Sequence, residues 1–393
     1  MVDQPPSNAL DLRIRQDEVV EDEGLEDENL DYADLIKPWD PKQIRITTKT
    51  FSIREVYNQI VEGETDLAPD FQREFVWSQA KQVLLIESIL LGIPLPAFYF
   101  NQDSIGAFQV VDGVQRLTTI KLFMSNQLTL NATHLAYLKD LKDHTYDTLE
   151  PALRRRFGLT QLVAHVIEPQ TPEEVKFDIF SRVNTGGEPL RPQEIRHCMS
   201  KARSRHLLKT LVESDGFDNA TAFAFWTKAP AGGRMRTSRR MADRELALRF
   251  CAFRSTSIEG YRQATSLDGF LLDFTRRIDR DLTEMEMVNL KEAFEQSMMN
   301  CASILGDSAF RRWAPDAPRR GPINRAVFES QALALADYPL DRLLPHKDDI
   351  YRAFRAMFGD VEYDNAVRFG TGDPNKVEKR LADPRRVLEK ILS

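Results

Sequence analysis

The chain has 393 residues, 42% of them hydrophobic and 29% charged, which is enough to bury a substantial core and to divide into two domains. No run approaches the roughly 20 apolar residues of a membrane helix, and Asp3, Pro5 and Pro6 stand where a signal peptide would be basic and then apolar, so a cytoplasmic protein with no membrane partner is expected. The net charge of −7 is uneven: residues 1–36 hold twelve acidic residues against Arg13 and Arg15, a balance of −10 that leaves the remainder at +3, so nucleic acid is not excluded as a partner.

The stretch from Val19 to Asp34 has too few apolar side chains to repay its ordering entropy, so residues 1–40 are expected to form a disordered acidic tail. Such a tail serves either as a solubilising segment or as a DNA mimic that shields the basic body. Order is predicted from about Gln43, where Ile44–Phe51 alternates polar with apolar and β-branched residues and reads as a strand. Ser52 then opens a short helix through Ile60, which Gly63 ends. After an extended Pro69–Arg73 segment, Ser78 caps an amphipathic helix with Val83, Leu84, Ile86, Leu90 and Leu91 on its core face. Ala97–Phe100 and Phe108–Val111 read as two strands of a hairpin turning at Asp103–Gly106.

Gln115–Met124 has helical spacing, so Gly113 falls at a strand-to-helix junction. Gln161–Ile167 reads as a strand, and helices at Pro172–Val183 and Pro192–Ser200 flank Asn184-Thr185-Gly186-Gly187. From about Lys201 helical patterns dominate, at Leu207–Glu213, Asp243–Phe253, Leu267–Ile278, Thr283–Leu305, Asn324–Ala336 and Ile350–Met357. Arg319–Pro322 and Gly370–Pro374 look like connecting loops. The chain therefore reads as α+β: a domain at 41–200 with a small mixed sheet, followed by a mainly helical domain at 201–393. Cys198, Cys251 and Cys301 are odd in number and form no CxxC pair, and the six histidines show no ligand spacing, so no disulfide framework and no metal site are assigned.

Three elements carry chemistry. The first is Gly113 followed by a helix whose opening holds Gln115, Arg116, Thr118 and Thr119. It offers free backbone N–H groups, a positive dipole end and a forked cation, which together suit a phosphate. Asp112 at the strand end is placed either to orient Arg116 or to hold a divalent metal such as Mg2+ beside the phosphates. The same pattern also fits a structural turn. The second element is Phe71-Gln72-Arg73-Glu74-Phe75-Val76-Trp77, polar groups on an aromatic bed that suit base recognition or anchor a loop. The third is Phe180–Gly187, where Arg182 and Asn184 are donors and the glycine pair permits either close ligand approach or a helix stop. Basic clusters, of which Arg234, Arg236, Arg239 and Arg240 after Ala231-Gly232-Gly233 form the best, suggest either a flexible DNA-contacting loop or a solvated face.

Taken in order, PDFQREFVW, the amphipathic helix, GIPLPAFYF, VVDGVQRLTTI and IFSRVNTGGEPLRPQEI resemble the N-terminal domain of GmrSD-type restriction endonucleases, a family marked by a DGQQR signature. The resemblance covers about residues 45–200, and MADRELALRFCAF resembles the family's helical extension. It implies a ParB/sulfiredoxin-like fold, a nucleotide phosphate on the Gly-x-x-Arg turn, nucleoside triphosphate hydrolysis, and restriction of modified phage DNA. On that basis Asp112, Gln115 and Arg116 are the expected catalytic residues, with Gly113, Thr118, Gln72, Arg73 and Asn184 around the nucleotide.

Two departures qualify the expectation. Val114 stands where the signature has Gln, which removes a polar contact and favours binding over hydrolysis. The late region offers only His346, in a segment that reads as a solvated helix start, so a nuclease activity of its own is not assigned. Two readings remain: a nucleoside triphosphatase coupled to DNA sensing, and a non-catalytic module that senses a nucleotide or DNA and recruits a separate nuclease or defence subunit. A second copy of the chain is the further partner considered.

Overall fold

The computed structural model describes residues 43–67, 77–183, 190–229, 232–238, 240–315 and 317–393. The acidic segment read at 1–40 lies outside them. Five strands form a mixed sheet: β1 (Ile46–Ser52), β2 (Thr65–Asp66), β3 (Phe98–Gln102), β4 (Phe108–Asp112) and β5 (Gln161–Ile167), in the spatial order β1-β5-β3-β4-β2. β1 pairs antiparallel with β5 and β3 with β4, whereas β3/β5 and β2/β4 are parallel.

Alternation along the strands sorts side chains between two layers. Phe98, Phe100, Val110, Leu162, Ala164 and Val166 enter one core together with α1 (Ile53–Glu62), α2 (Gln79–Leu91), α3 (Val114–Met124) and α4 (Pro151–Leu159). Tyr99, Val111 and Ile167 point the other way, onto α5 (Glu173–Val183) and α6 (Pro192–Met199). Local chemistry fixes the helix ends. Ser52 and Glu55 form a reciprocal capping box, and Gly63 and Gly92 close α1 and α2 in the left-handed conformation. Glu87 on α2 is buried and accepts backbone N–H groups of Ala136 (3.0 Å), Tyr137 (2.7 Å) and Leu138 (2.7 Å). Burial alone would raise its pKa, but these three donors hold it below the ordinary carboxylate range and tie the 131–141 segment to α2.

Among the described residues the second half is helical apart from one hairpin and an isolated antiparallel bridge between Arg311 and Ile323. It begins with α7 (Ala202–Val212) and α8 (Asp215–Ala220), followed by the antiparallel pair β6 (Trp226–Lys228) and β7 (Arg234–Arg236). Then come α9 (Ala242–Arg254), α10 (Ile258–Arg262), α11 (Leu267–Arg280), α12 (Glu284–Leu305) and α13 (Arg325–Leu335). The chain ends with α14 (Leu340–Leu343), α15 (Lys347–Ala356), α16 (Val361–Arg368) and α17 (Pro374–Leu392). Every residue of α13 and all but the last of α9 are buried, so these two helices form the centre about which the others pack. The class is α+β, a mixed sheet with helices on both faces followed by a helical second half. Among the described residues no helix is long and apolar enough to cross a membrane.

Three differences from the sequence expectation have physical causes. The Gly370–Pro374 loop is the entrance to α17: Asp373 Oδ1 accepts the N–H groups of Asn375 and Lys376, and Pro374 takes the first helical position, while the interior Pro384 masks the helix in the sequence. Pro151 likewise opens α4, so Arg154, Arg155 and Arg156 lie on a helix. The expected flexible basic loop after Gly233 is instead a strand paired with Trp226–Lys228.

Candidate functional site

β4 delivers Asp112 at its last position, and the chain turns at Gly113 (φ 99°, ψ 9°) directly into α3. Glycine is required here on two grounds. An L side chain is strained at that φ. A Cβ would also stand 2.2 Å from Phe98 Cδ1 and 2.7 Å from Cε1. Among the described residues no side chain caps α3, whose first turn carries the positive end of the helix dipole.

Arg116 reaches from the first turn of α3 back to the segment leading into β3. It donates to Pro96 O, to Ala97 O at 3.3 Å and to Asp112 Oδ2 at 3.0 Å, and its Cζ lies 4.2 Å from the Phe98 ring centroid. Burial lowers the Arg116 pKa and the charge of Asp112 opposes that shift. Much of the fork is thus spent on the protein, and Arg116 locks the turn in which it sits. Gln115 is the contrasting side chain: its Oε1 is buried and has no hydrogen-bond partner, and the same holds for Asn101 Oδ1 on β3. Val114 is buried in the apolar core, and Thr118 is buried one turn further along α3. The structure therefore brings Asp112, Gly113, Gln115 and Arg116 together. Gln72, Arg73 and Asn184 lie outside the described residues.

The basic cluster divides. Arg234 is exposed, with Cζ 5.2 Å from the Phe223 ring centroid. Arg236, on the same face of the hairpin, pairs with the buried Asp218 of α8, and its Cζ is 5.4 Å from the Trp226 ring centroid. Arg240 donates to Glu194 Oε1 (3.2 Å) and Oε2 (2.6 Å) on α6. Arg239 lies outside the described residues.

Sequence reasoning missed a second polar cluster, at the junction of the sheet and the helical half. α6 packs against β4, α5, α9 and α11, and its Glu194, Arg196 and His197 are all buried. Arg196 pairs with Asp268 on α11 and donates to Gln193 Oε1 at 2.7 Å. Burial, with the charges of Arg205 and Arg244, holds the His197 pKa well below its ordinary value, so the ring is neutral. On α9, burial pushes the Asp243 carboxyl up to about 7, against the backbone N–H of Arg244 and the charges of Arg244 and Arg236. A signal was present in the sequence. Asp243, Arg244, Glu245 and Arg249 fall on too many faces of one helix to form a single solvated stripe, so some had to be buried. Cys198, Cys251 and Cys301 are buried and free, and burial raises each thiol, that of Cys251 to about 12. Among the described residues no three His, Cys, Asp or Glu side chains gather as a metal-binding set.

Residues 53–200 match the family model described as GmrSD restriction endonuclease, N-terminal domain. That stretch runs from the first residue of α1 to the residue after α6. A solved structure of a Pnob8-like ParB-N domain aligns over 89% of this chain and 99% of its own length, at 11% identity and a TM-score of 0.20. At that score the likeness carries no argument, and the α+β class rests on the sheet and helices described above. No curated protein matches the chain.

Proposed function

We propose that this chain, through the GmrSD-type domain at residues 53–200, is a nucleotide-responsive module of a DNA restriction or phage-defence system. The observation that carries the reading is the turn itself. A left-handed glycine opens α3 without a side-chain cap, and Gln115, at its first turn, holds a buried carbonyl oxygen with no donor. Nucleotide phosphates complement the N–H groups at that helix end, and Gln115 Oε1 accepts from a ribose hydroxyl or an attacking water. Arg116 keeps the turn in shape, and Asp112, which spends Oδ2 on Arg116, offers Oδ1 to a Mg2+ carried in with the phosphates. Thr118 packs behind the turn. In this reading Gln72, Arg73 and Asn184 surround the nucleotide, while Arg234 and Arg239 contact DNA.

A second reading, a sensor without turnover that recruits a separate nuclease, draws support from two observations. Val114 contributes hydrocarbon to the core where the signature carries an amide, and Arg116 is already engaged by the protein. Gln115→Ala separates the readings because the fold loses no hydrogen bond to Oε1. Phosphate release from ATP, GTP and CTP is measured with and without DNA, beside calorimetric binding and the melting temperature. Turnover that Gln115→Ala abolishes at an unchanged melting temperature supports the hydrolase. Wild-type binding without turnover supports the sensor, and an absence of both overturns the nucleotide reading.

A further inference from the structure

A bulky residue at positive φ is disfavoured because its Cβ crowds the following carbonyl, and an aromatic ring left in water forgoes the gain of burial. Phe223 carries both penalties. Its φ is 58° and the residue is 39% exposed. Ala222 before it is also left-handed, at 52°, and the N–H of Phe223 donates to Asp218 O at 2.8 Å, which ties the bend to α8. On the far side of the hairpin Arg240 and Met241 are left-handed again, at 61° and 63°. The β6–β7 ribbon thus stands between two strained bends, and the first of them turns an aromatic ring to solvent.

Strand pairing gathers cations beside that ring. Trp226 lies opposite Arg236 and Lys228 opposite Arg234, so these four side chains, two residues apart along each strand, share one face. Phe223 joins them there: its ring centroid is 6.4 Å from that of Trp226, with 61° between the planes, and 5.2 Å from Arg234 Cζ. Arg236 pairs with the buried Asp218 and anchors the ribbon to α8. Lys228 and Arg234 are exposed, and among the described residues neither forms an ion pair. The face therefore presents an exposed ring and two uncompensated cations on a backbone already fixed by its own hydrogen bonds.

We propose that this face binds single-stranded DNA, with a base stacked on Phe223 and the flanking phosphates on Lys228 and Arg234. Cations alone would serve the backbone of a duplex or an acidic peptide equally well. The exposed ring decides between them. Base faces in a duplex are covered by their stacked neighbours, whereas an unpaired base presents its π-face to an aromatic side chain or to a guanidinium beside it. The inference rests on the DNA contact proposed above for Arg234 and deepens it, by naming the strand state that the contact requires.

The test is fluorescence anisotropy of the full chain with labelled oligodeoxythymidylate, with a labelled duplex of the same length, and with polyglutamate as competitor, over a range of salt. The single strand should bind more tightly than the duplex, and polyglutamate should not displace it. Phe223→Asn removes the ring and puts in a residue type that tolerates the left-handed backbone, so the melting temperature should stay close to that of wild type. Its affinity for the single strand should fall roughly 5- to 150-fold, the weight of one base stacked on an aromatic side chain. Phe223→Tyr keeps the ring and should bind as wild type does. Lys228→Gln with Arg234→Gln should weaken binding and lower the slope of log affinity against log salt by roughly 0.7 for each charge removed. The proposal is overturned if polyglutamate competes, if Phe223→Asn binds as wild type does, or if Phe223→Tyr binds no better than Phe223→Asn. Duplex binding as tight as single-strand binding also overturns it yet leaves the DNA contact of Arg234 standing, whereas binding of neither overturns both.

Discussion

Around the five-stranded sheet the buried side chains are chiefly hydrocarbon, with Phe98, Phe100, Val110, Ile120, Phe123 and Val166 at its centre. At the centre of the helical half sits Glu329, with no exposed surface, accepting from Arg249 at 2.8 Å and from Arg380 at 2.5 Å. Arg249 also pairs with Glu245, which Arg325 approaches at 3.4 Å, so four helices (α9, α13 and α17, with α6 through Arg196) bear on one charged network. Although burial disfavours its charge, Arg325, Arg249 and Arg196 hold Glu245 well below the ordinary carboxylate range. The contrast shows two ways of fixing a register. A strand slipped by one residue turns its apolar face to solvent, so hydrocarbon suffices to specify a sheet. Apolar helices can slide or rotate against each other at smaller cost, and a buried ion pair that tolerates only one partner removes that freedom.

Three substitutions test this contrast. Glu329→Ala strands two buried guanidinium groups and should cost about 5 kcal/mol, the upper end for breaking a buried pair. Urea unfolding is the measurement, and a loss below about 1 kcal/mol would show that the network is not what holds the helices. Asp243→Asn sharpens the comparison at the junction. The native carboxyl titrates near 7 against an ordinary 3.8, so the folded chain binds the additional proton between those values. Stability should therefore fall as pH rises from about 4 to about 7, then level off. Asn, which keeps the acceptor for Arg244 N–H, should gain on the order of 4 kcal/mol over wild type at pH 8 and almost nothing at pH 4, read from melting temperatures across pH. In the sheet half, Gly113→Ala should cost about 3 kcal/mol, combining a left-handed backbone with overpacking against Phe98. If its unfolding midpoint matches wild type, the turn is looser than the 2.2 Å approach to Phe98 requires.

The elements of the sheet half were legible because their signals are local. Ser52, Gly63, Ser78 and Gly92 mark helix ends through their own hydrogen bonds or backbone angles, and the strand pattern at Gln161–Ile167 coincides with β5. The Asp112–Arg116 cluster was legible for the same reason, as a strand end, a glycine and a helix start in succession. The partners of Arg116 were not. Pro96 and Ala97 lie about twenty residues away and meet the guanidinium only because β3 and β4 pair. The basic run after Gly233 likewise gave its composition but not its direction, since Asp218 and Glu194, which draw Arg236 and Arg240 inward, come from α8 and α6.

By itself, then, the sequence determined the α+β class, the position of most helices and strands, and the strand–glycine–helix turn, because periodicity, caps and glycine act within a few residues. Tertiary structure alone decided which charges are buried, which guanidinium groups have partners and where the two halves lock together. Those outcomes depend on side chains such as Arg249 and Glu329, eighty positions apart, arriving at hydrogen-bond distance in a medium where an unpartnered charge is too costly to leave to chance.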